Sequence, residues 1–324
     1  MTPDLPAGLR AAIDRALEGV PRKGLAERAA RTSRAYRAGQ PSSAVIREAD
    51  DALAYALTRL PATYAACAAV LAQAVRRAPD FAPASLLDAG AGTGAASWAA
   101  VSAWPKLAAL TWLDASSLFL SLARQLAAAG PAALRAAQAR RADLTAPGPW
   151  PQADLVIASY ALAEIAAERQ ISTVVELWAA CDGLLVLVEP GTPAGYSRIL
   201  AARTTLFDIG ATVIAPCPHA RACPLVGEDW CHFSVRLPRS RDHRLAKGAE
   251  TPFEDERYSY LIAARPAVGI VSPRPRILAP PRTGKPGIAL KLCGLDGALE
   301  HRLVPRRDKV AYAAARRLGW GGVL

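Results

Sequence analysis

Two groups of residues in this 324-residue chain have the types and spacing to do chemistry. The first is Leu86-Leu87-Asp88-Ala89-Gly90-Ala91-Gly92-Thr93-Gly94, in which glycines alternate with small residues directly after an apolar run. Glycine at this spacing lets a ligand approach backbone amides and permits the tight turn from a strand into a helix. Twenty residues beyond Gly94, Thr111-Trp112-Leu113-Asp114 ends in an acid, where a carboxylate can accept hydrogen bonds from both hydroxyls of a ribose. Arg141-Ala-Asp143-Leu144 adds an acid at a spacing suited to an adenine. Together these residues point to a nucleoside-containing ligand. No Gly-Lys-Ser/Thr sequence is present, which argues against a phosphate-cradling loop of the ATPase kind.

The second group is made of cysteines. Cys217-Pro-His219-Ala-Arg-Ala-Cys223-Pro is followed by Trp230-Cys231-His232-Phe and, much later, by Cys293, with five, seven and sixty-one residues between successive cysteines. Clustered thiols in a chain without a secretion signal suggest metal ligation, because thiolates supply soft, negatively charged donors. Four of them suit zinc or an iron-sulfur cluster. The spacing is not that of paired Cys-x-x-Cys zinc ribbons. His219 or His232 could replace Cys293 as the fourth ligand, although a surface or phosphate-contacting histidine is the more frequent use. Cys67, within a helical pattern, and Cys181, just before a strand, read as small core hydrophobes.

The elements that must position these residues change character along the chain. Leu9, Ile13, Leu17 and Val20 follow helical spacing up to Pro21. The next stretch carries Arg22, Lys23, Arg28, Arg31, Arg34 and Arg37 against Glu27, and its three-residue arginine repeat fits either a phosphate backbone or a solvated helix face. Ser43 reads as the N-cap of a helix through Ile46, Leu53, Leu57 and Leu60 to Pro61, with a second helix continuing to Pro79. After Pro83, strands are expected at Ser85 to Asp88, Ala109 to Asp114, Asp154 to Ser159 and Leu184 to Glu189, alternating with helices. That order implies a parallel sheet covered on both faces. Beyond about residue 212 this core ends or is interrupted; Glu256 to Ala263 reads as a returning strand. Gly287 to Cys293 and Leu299 to Pro305 flank a Leu295-Asp-Gly turn suited to a hairpin, and a last helix is expected from Asp308 to Leu318. The chain thus divides into an N-terminal helical region (1–80), a ligand-binding α/β core (81–212) and a cysteine-rich, basic, β-containing region (213–324).

Composition sets bounds on partners. No apolar run approaches the ~20 residues of a membrane span, and the first residues, Met1-Thr-Pro-Asp-Leu, have neither the basic start nor the apolar run of a secretion signal. A cytoplasmic protein, without a membrane partner and monomeric, is expected. The net charge of +11 is uneven: residues 1–48 hold nine Lys/Arg against five Asp/Glu, residues 49–231 twelve against fifteen, and residues 232–324 eighteen against eight. Basic flanks around a slightly acidic middle suggest surfaces that meet a polyanion such as RNA.

The Asp88-to-Gly94 run, acid first and glycines alternating, resembles motif I of class I S-adenosylmethionine-dependent methyltransferases more than the dinucleotide pattern. The resemblance implies a Rossmann-like methyltransferase fold in which Asp88, Gly90, Gly92, Gly94, Asp114 and Asp143 surround S-adenosylmethionine. The Asp/Asn-Pro-Pro-aromatic acceptor motif of base-nitrogen methylases is absent; Asp154-Leu-Val-Ile-Ala-Ser159-Tyr160 stands in its place. A more specific likeness extends over nearly the whole chain. Leu60-Pro-Ala-Thr-Tyr-Ala, Glu189-Pro-Gly-Thr-Pro, Cys217-Pro-His, Cys223-Pro-Leu, Trp230-Cys-His-Phe, Glu254-Asp-Glu-Arg-Tyr-Ser-Tyr260-Leu, Lys285-Pro-Gly and Ala315-Arg-Arg-Leu-Gly-Trp320-Gly resemble the mitochondrial small-ribosomal-subunit methyltransferase-like proteins and their bacterial relatives. That family implies binding to the small ribosomal subunit and its rRNA during assembly or early translation. It also implies a four-iron, four-sulfur (4Fe-4S) cluster held, by motif position, on Cys217, Cys223, Cys231 and Cys293. Some members of the family are assembly factors without demonstrated methyl transfer.

Overall fold

The computed structural model describes residues 4–37, 42–146, 148 and 150–324; the side chains of Arg37 and Ser43, and Met1 to Pro3 of the considered leader, lie outside the described residues. The chain opens with helices α1 (Ala7–Ala16), α2 (Arg22–Arg37), α3 (Ser42–Val45), α4 (Ala49–Thr58) and α5 (Leu60–Arg77). The single helix expected from Ser43 to Pro61 is divided. Glu48 and Asp51 form a capping box that starts α4 afresh, with the Asp51 carboxylate accepting the Arg47 and Glu48 amides at 3.0 Å each. Pro61 lies in the first turn of α5 rather than ending a helix, a position where its missing N–H costs nothing.

Among the described residues, two arginines of the α2 stripe are paired with acids. Arg28 pairs with Glu48 at 2.6 Å and Asp51 at 2.7 Å, and Arg31 reaches the same Asp51 at 2.5 Å. Asp51 is 1% exposed. Two residues of the stripe therefore fasten α2 to α4.

Eight strands make the central sheet: β1 (Ser85–Ala89), β2 (Ala109–Asp114), β3 (Gln138–Arg141), β4 (Ala153–Ser159), β5 (Cys181–Pro190), β6 (Thr212–Ala215), β7 (Phe233–Pro238) and β8 (Phe253–Ala264). Their order is β3-β2-β1-β4-β5-β8-β6, with β7 on the free half of β8. The first five strands pair in parallel. Leu184 to Val188 are all buried, as expected of a strand covered on both faces. Helices α6 (Ala95–Ala103), α7 (Ser117–Ala127), α8 (Ala132–Arg135), α9 (Ala167–Ala179) and α10 (Pro193–Asp208) alternate with these strands.

Strand β8 runs against its neighbours. Its second half pairs antiparallel with β5 and β6, and its first half with β7. The central sheet therefore continues past residue 212 through β6, β7 and β8, and the connection between β6 and β7 carries Cys217, Cys223 and Cys231. After α11 (Arg241–Lys247) and β8, a four-stranded antiparallel sheet forms from β9 (Arg276–Ile277), β10 (Arg282–Thr283), β11 (Gly287–Cys293) and β12 (Leu299–Pro305). The β11–β12 hairpin is the expected one, with Gly297 at φ +80° in its turn. The last helix, α12 (Lys309–Ala315), is shorter than expected and is capped by the Asp308 carboxylate on the Ala311 amide at 3.0 Å. This is the Rossmann-like methyltransferase sheet that the resemblance implied, with a separate C-terminal antiparallel β unit.

Candidate nucleoside cleft and cysteine cavity

Ligands of open α/β sheets sit beyond the carboxyl ends of the strands where strand order reverses, and here that point lies between β1 and β4. The loop after β1 holds Gly90, Gly92 and Gly94 at φ +74°, +54° and +85°, a region that side chains disfavour. The Gly90 and Ala91 amides donate to the Leu113 carbonyl at 2.8 and 3.0 Å. The Gly92 amide donates to one Asp114 oxygen and the Ser116 amide to the other, each at 2.8 Å. Burial raises the Asp114 pKa, and these two amides offset part of that. Each oxygen keeps a second lone pair for an incoming hydroxyl. A side chain on Gly92 would meet open space, whereas one on Gly90 would strike the Ala161 methyl group at 2.7 Å. The loop thus opens at Gly92.

Asp88 and Asp143 have different surroundings. Asp88 is wholly buried; one oxygen accepts the Ser97 amide at 3.1 Å and the Ser97 hydroxyl at 2.6 Å, and that hydroxyl accepts the Trp112 indole N–H at 2.9 Å. Asp88 thereby holds the first turn of α6 behind the loop. Its other oxygen is buried without a partner among the described residues. Burial pushes its pKa up to about 6, against the Ser97 hydrogen bonds. Asp143 is exposed and accepts the Thr145 amide and hydroxyl at 2.8 and 2.7 Å, which lowers its pKa. The Ala142 amide donates to the Asp114 carbonyl at 3.0 Å, so Asp143 and Asp114 occupy neighbouring strand ends.

The other residues at this end of the sheet were not legible one by one. Tyr55 of α4 packs on Phe119 of α7 with ring centroids 4.8 Å apart. The Ser42 amide and hydroxyl donate to Glu164 at 2.9 and 2.6 Å. At the end of β4, Tyr160 adopts φ +58° and donates its hydroxyl to Glu256 at 2.9 Å, while Arg59 lies 3.5 Å from the same carboxylate. Glu189, at the end of β5, is 1% exposed and pairs with Arg198 at 2.6 Å. Burial, moderated by Arg198, takes its pKa up to about 7. Only the positive φ of a bulky residue such as Tyr160 marks such a place afterwards; the acceptor of its hydroxyl, Glu256, is 96 residues distant.

Cys217, Cys223, Cys231 and Cys293 line one apolar cavity with Tyr196, Tyr260, Arg203 and Arg276. Cys217 follows β6, Cys223 and Cys231 lie before β7, and Cys293 ends β11. The Tyr196 hydroxyl donates to Cys223 Sγ at 3.1 Å, and His219 Nε2 lies 3.2 Å from Cys293 Sγ. Burial, then mutual repulsion, raises the Cys293 pKa to about 12 and that of Cys231 far above its usual value. Among the described residues no three His, Cys, Asp or Glu side chains close around one metal ion. His232 stands apart: it stacks on Trp230 at 5.0 Å and meets Trp320 edge-on at 4.9 Å. Of the two histidines, only His219 lines the cavity. Cys67 and Cys181 are 1% and 0% exposed, core residues as expected.

Residues 49–324 match the family model described as mitochondrial small ribosomal subunit Rsm22. The chain belongs to the Rsm22 family. A human relative, "Ribosome assembly protein METTL17, mitochondrial", is 30% identical over 295 residues, covering 84% of this chain and 62% of that protein. The Schizosaccharomyces pombe "Rsm22-cox11 tandem protein 1, mitochondrial" is 31% identical over 212 residues, covering 52% of this chain and 28% of that protein. The chain therefore spans less than two thirds of either relative's length. Among solved structures, Synechocystis magnesium protoporphyrin IX methyltransferase with bound SAM matches at 18% identity and a TM-score of 0.40, over 67% of this chain and 83% of that one. Human N-acetylserotonin methyltransferase in complex with SAM matches at 14% and 0.42, over 72% and 65%. The Rsm22 span contains the glycine loop, its acids and all four cavity cysteines, while α1 to α3 precede it. Among the described residues no helix is long and apolar enough to cross a membrane.

Proposed function

We propose that this Rsm22-family chain binds S-adenosylmethionine at the Gly92 opening and works on the small ribosomal subunit, either methylating rRNA or assisting assembly. The observation that carries the reading is the Asp114 carboxylate on the Gly92 amide at 2.8 Å. It sets a ribose acceptor against an open glycine turn at the strand-order reversal. Gly90 and Gly94 would shape the loop, Asp88 would hold it from behind, and Asp143 would face the adenine. The ribosome assembly role in the human relative's name supports the partner. So do exposed Arg282, Arg306, Arg307, Arg316 and Arg317 in the C-terminal unit, whose charges suit rRNA phosphates.

The same reading assigns Cys217, Cys223, Cys231 and Cys293 to a 4Fe-4S cluster, with zinc as the alternative. The donors fit such a group: four thiols, three from the β6–β7 connection and one from the end of β11, face one cavity. A zinc ion would draw all its thiolates to ~2.3 Å, and among the described residues no three such side chains already close around one ion. A cluster takes one thiolate per iron and tolerates wider spacing. When bound, it would supply metal–thiolate bonds that tie the β6–β7 connection to β11.

An assembly role without methyl transfer is favoured by the end of β4. There the Tyr160 hydroxyl is committed to Glu256, which Arg59 also approaches, and no Asp/Asn-Pro-Pro-aromatic motif is present. Anaerobic purification with iron, sulfide and zinc analysis, then labelled S-adenosylmethionine with immature small subunits, tests all parts. Iron, sulfide and labelled rRNA support the enzyme; a filled cluster and tight subunit binding without label support the assembly factor. A chain that binds neither the cosubstrate nor the subunit ends the proposal.

A further inference from the structure

The buried charges around the cysteine cavity do not balance. Arg203 of α10 and Arg276 of β9 are 5% and 3% exposed, and both line the cavity. Their hydrogen bonds to oxygen among the described residues all go to neutral groups, and Arg203 also reaches the Cys217 thiol. Arg203 donates to the His219 and Arg221 carbonyls at 3.2 and 2.6 Å. Arg276 donates to the Pro216 and Gly321 carbonyls at 3.0 and 2.6 Å and to Gln73 Oε1 at 2.9 Å. Arg203 Nε is buried with no hydrogen-bond partner among the described residues. Arg77, near Arg276, donates to the Ile214 carbonyl at 2.9 Å, and burial together with repulsion from Arg276 lowers its pKa.

Carbonyl oxygens solvate a guanidinium but leave its charge uncompensated, and a buried unpaired charge is costly. The remaining polar groups that line this cavity include four thiols. Four thiolates around a dication, whether zinc or an oxidised four-iron core, make a centre with two net negative charges. Two guanidiniums match that number.

We infer that Arg203 and Arg276 are the counter-cations of the cysteine-held centre, neutralising it from within the protein. The inference rests on the metal-site reading above and adds to it a role for two residues that are not ligands. It makes the metal-free protein carry an electrostatic penalty that metal loading relieves. In an iron-sulfur centre it also favours reduction, which adds one more negative charge.

The test uses the full chain, reconstituted anaerobically with ferrous iron and sulfide, and compares wild type with Arg203→Gln, Arg276→Gln, both changes together, and Arg203→Lys and Arg276→Lys. Iron release to excess chelator is followed by loss of visible absorbance. The midpoint is measured by titration with dithionite, which donates the electron and is oxidised to sulfite. Thermal unfolding is measured with and without metal. The glutamine variants are expected to release iron at least about tenfold faster and to have more negative midpoints. Their metal-free forms should melt at or above the wild-type temperature, and the lysine variants should recover most of the midpoint. Release and midpoints equal to wild type overturn the inference. So does equal destabilisation of loaded and metal-free forms, which would make the arginines packing residues only. Wild-type protein that takes up no metal overturns the metal-site reading itself, and the inference with it.

Discussion

The Gly92 amide and the Asp114 carboxylate are joined at 2.8 Å, so the glycine loop after β1 is fastened to the end of β2. One side chain therefore shapes the loop and offers the ribose acceptor. Asp114→Ala is expected to weaken S-adenosylmethionine binding at least about 30-fold, roughly 2 kcal/mol, in calorimetric titration. Unchanged affinity would remove Asp114 from the site.

Gly90 and Gly92 should respond differently to alanine. At Gly92 the added methyl group meets open space and only the φ of +54° resists it, a cost of about 1–2 kcal/mol. Cosubstrate affinity should fall because the methyl group projects from the open turn. At Gly90 the methyl group also meets Ala161 at 2.7 Å, so Gly90→Ala should unfold at a clearly lower temperature than Gly92→Ala.

Asp88 should impose a pH dependence. Its folded pKa of about 6 lies above the ordinary 3.8, so its contribution is most favourable below pH 3.8 and is lost as pH rises through 6. The full change is up to about 3 kcal/mol. Asp88→Asn keeps an acceptor for Ser97 and cannot ionise. Relative to wild type, the variant should gain thermal stability between pH 4 and pH 7; a constant difference would contradict the assignment.

Asp51 should show the opposite sign. Despite burial, hydrogen bonds from Arg28, Arg47 and Glu48 hold its pKa below 3.8. Its stabilisation is present above that value and lost as pH falls through the lower folded pKa. Asp51→Ala leaves Arg28 and two amides without their acceptor and should cost about 3 kcal/mol. Hydrogen exchange should report the loss first in α2 and α4.

Cysteine replacement should separate the cavity from the core. Serine at Cys217, Cys223, Cys231 or Cys293 is expected to reduce bound metal by at least about half and lower the melting temperature, because metal binding is coupled to folding. Cys67→Ala and Cys181→Ala should retain full metal content. Loss of metal from the latter pair alone would reverse the assignment of ligands.

The parallel strands were legible because β1, β2, β4 and β5 are apolar runs long enough to be covered on both faces. The short, exposed β3 and the four-residue β6 carry no such signal, and pairing with β2 and β8 makes them strands. The break before α4 was hidden because apolar spacing runs through it, while the Glu48–Asp51 cap depends on side chains turning back. Arg28 and Arg31 looked like a free basic face because their partners lie 20 and more residues onward.

The amino-acid sequence by itself determined the glycine loop, the acid after β2, the family and the cysteines with ligand chemistry, since each is a matter of residue type at short spacing. Tertiary structure alone decided that Cys293 joins three cysteines more than sixty residues earlier, that Tyr160 meets Glu256, and that Arg203 and Arg276 stand in a cavity without acids. Those relations arise when β8 re-enters the central sheet and β11 folds back beside it. Long-range pairing sets them, and local spacing carries no record of it.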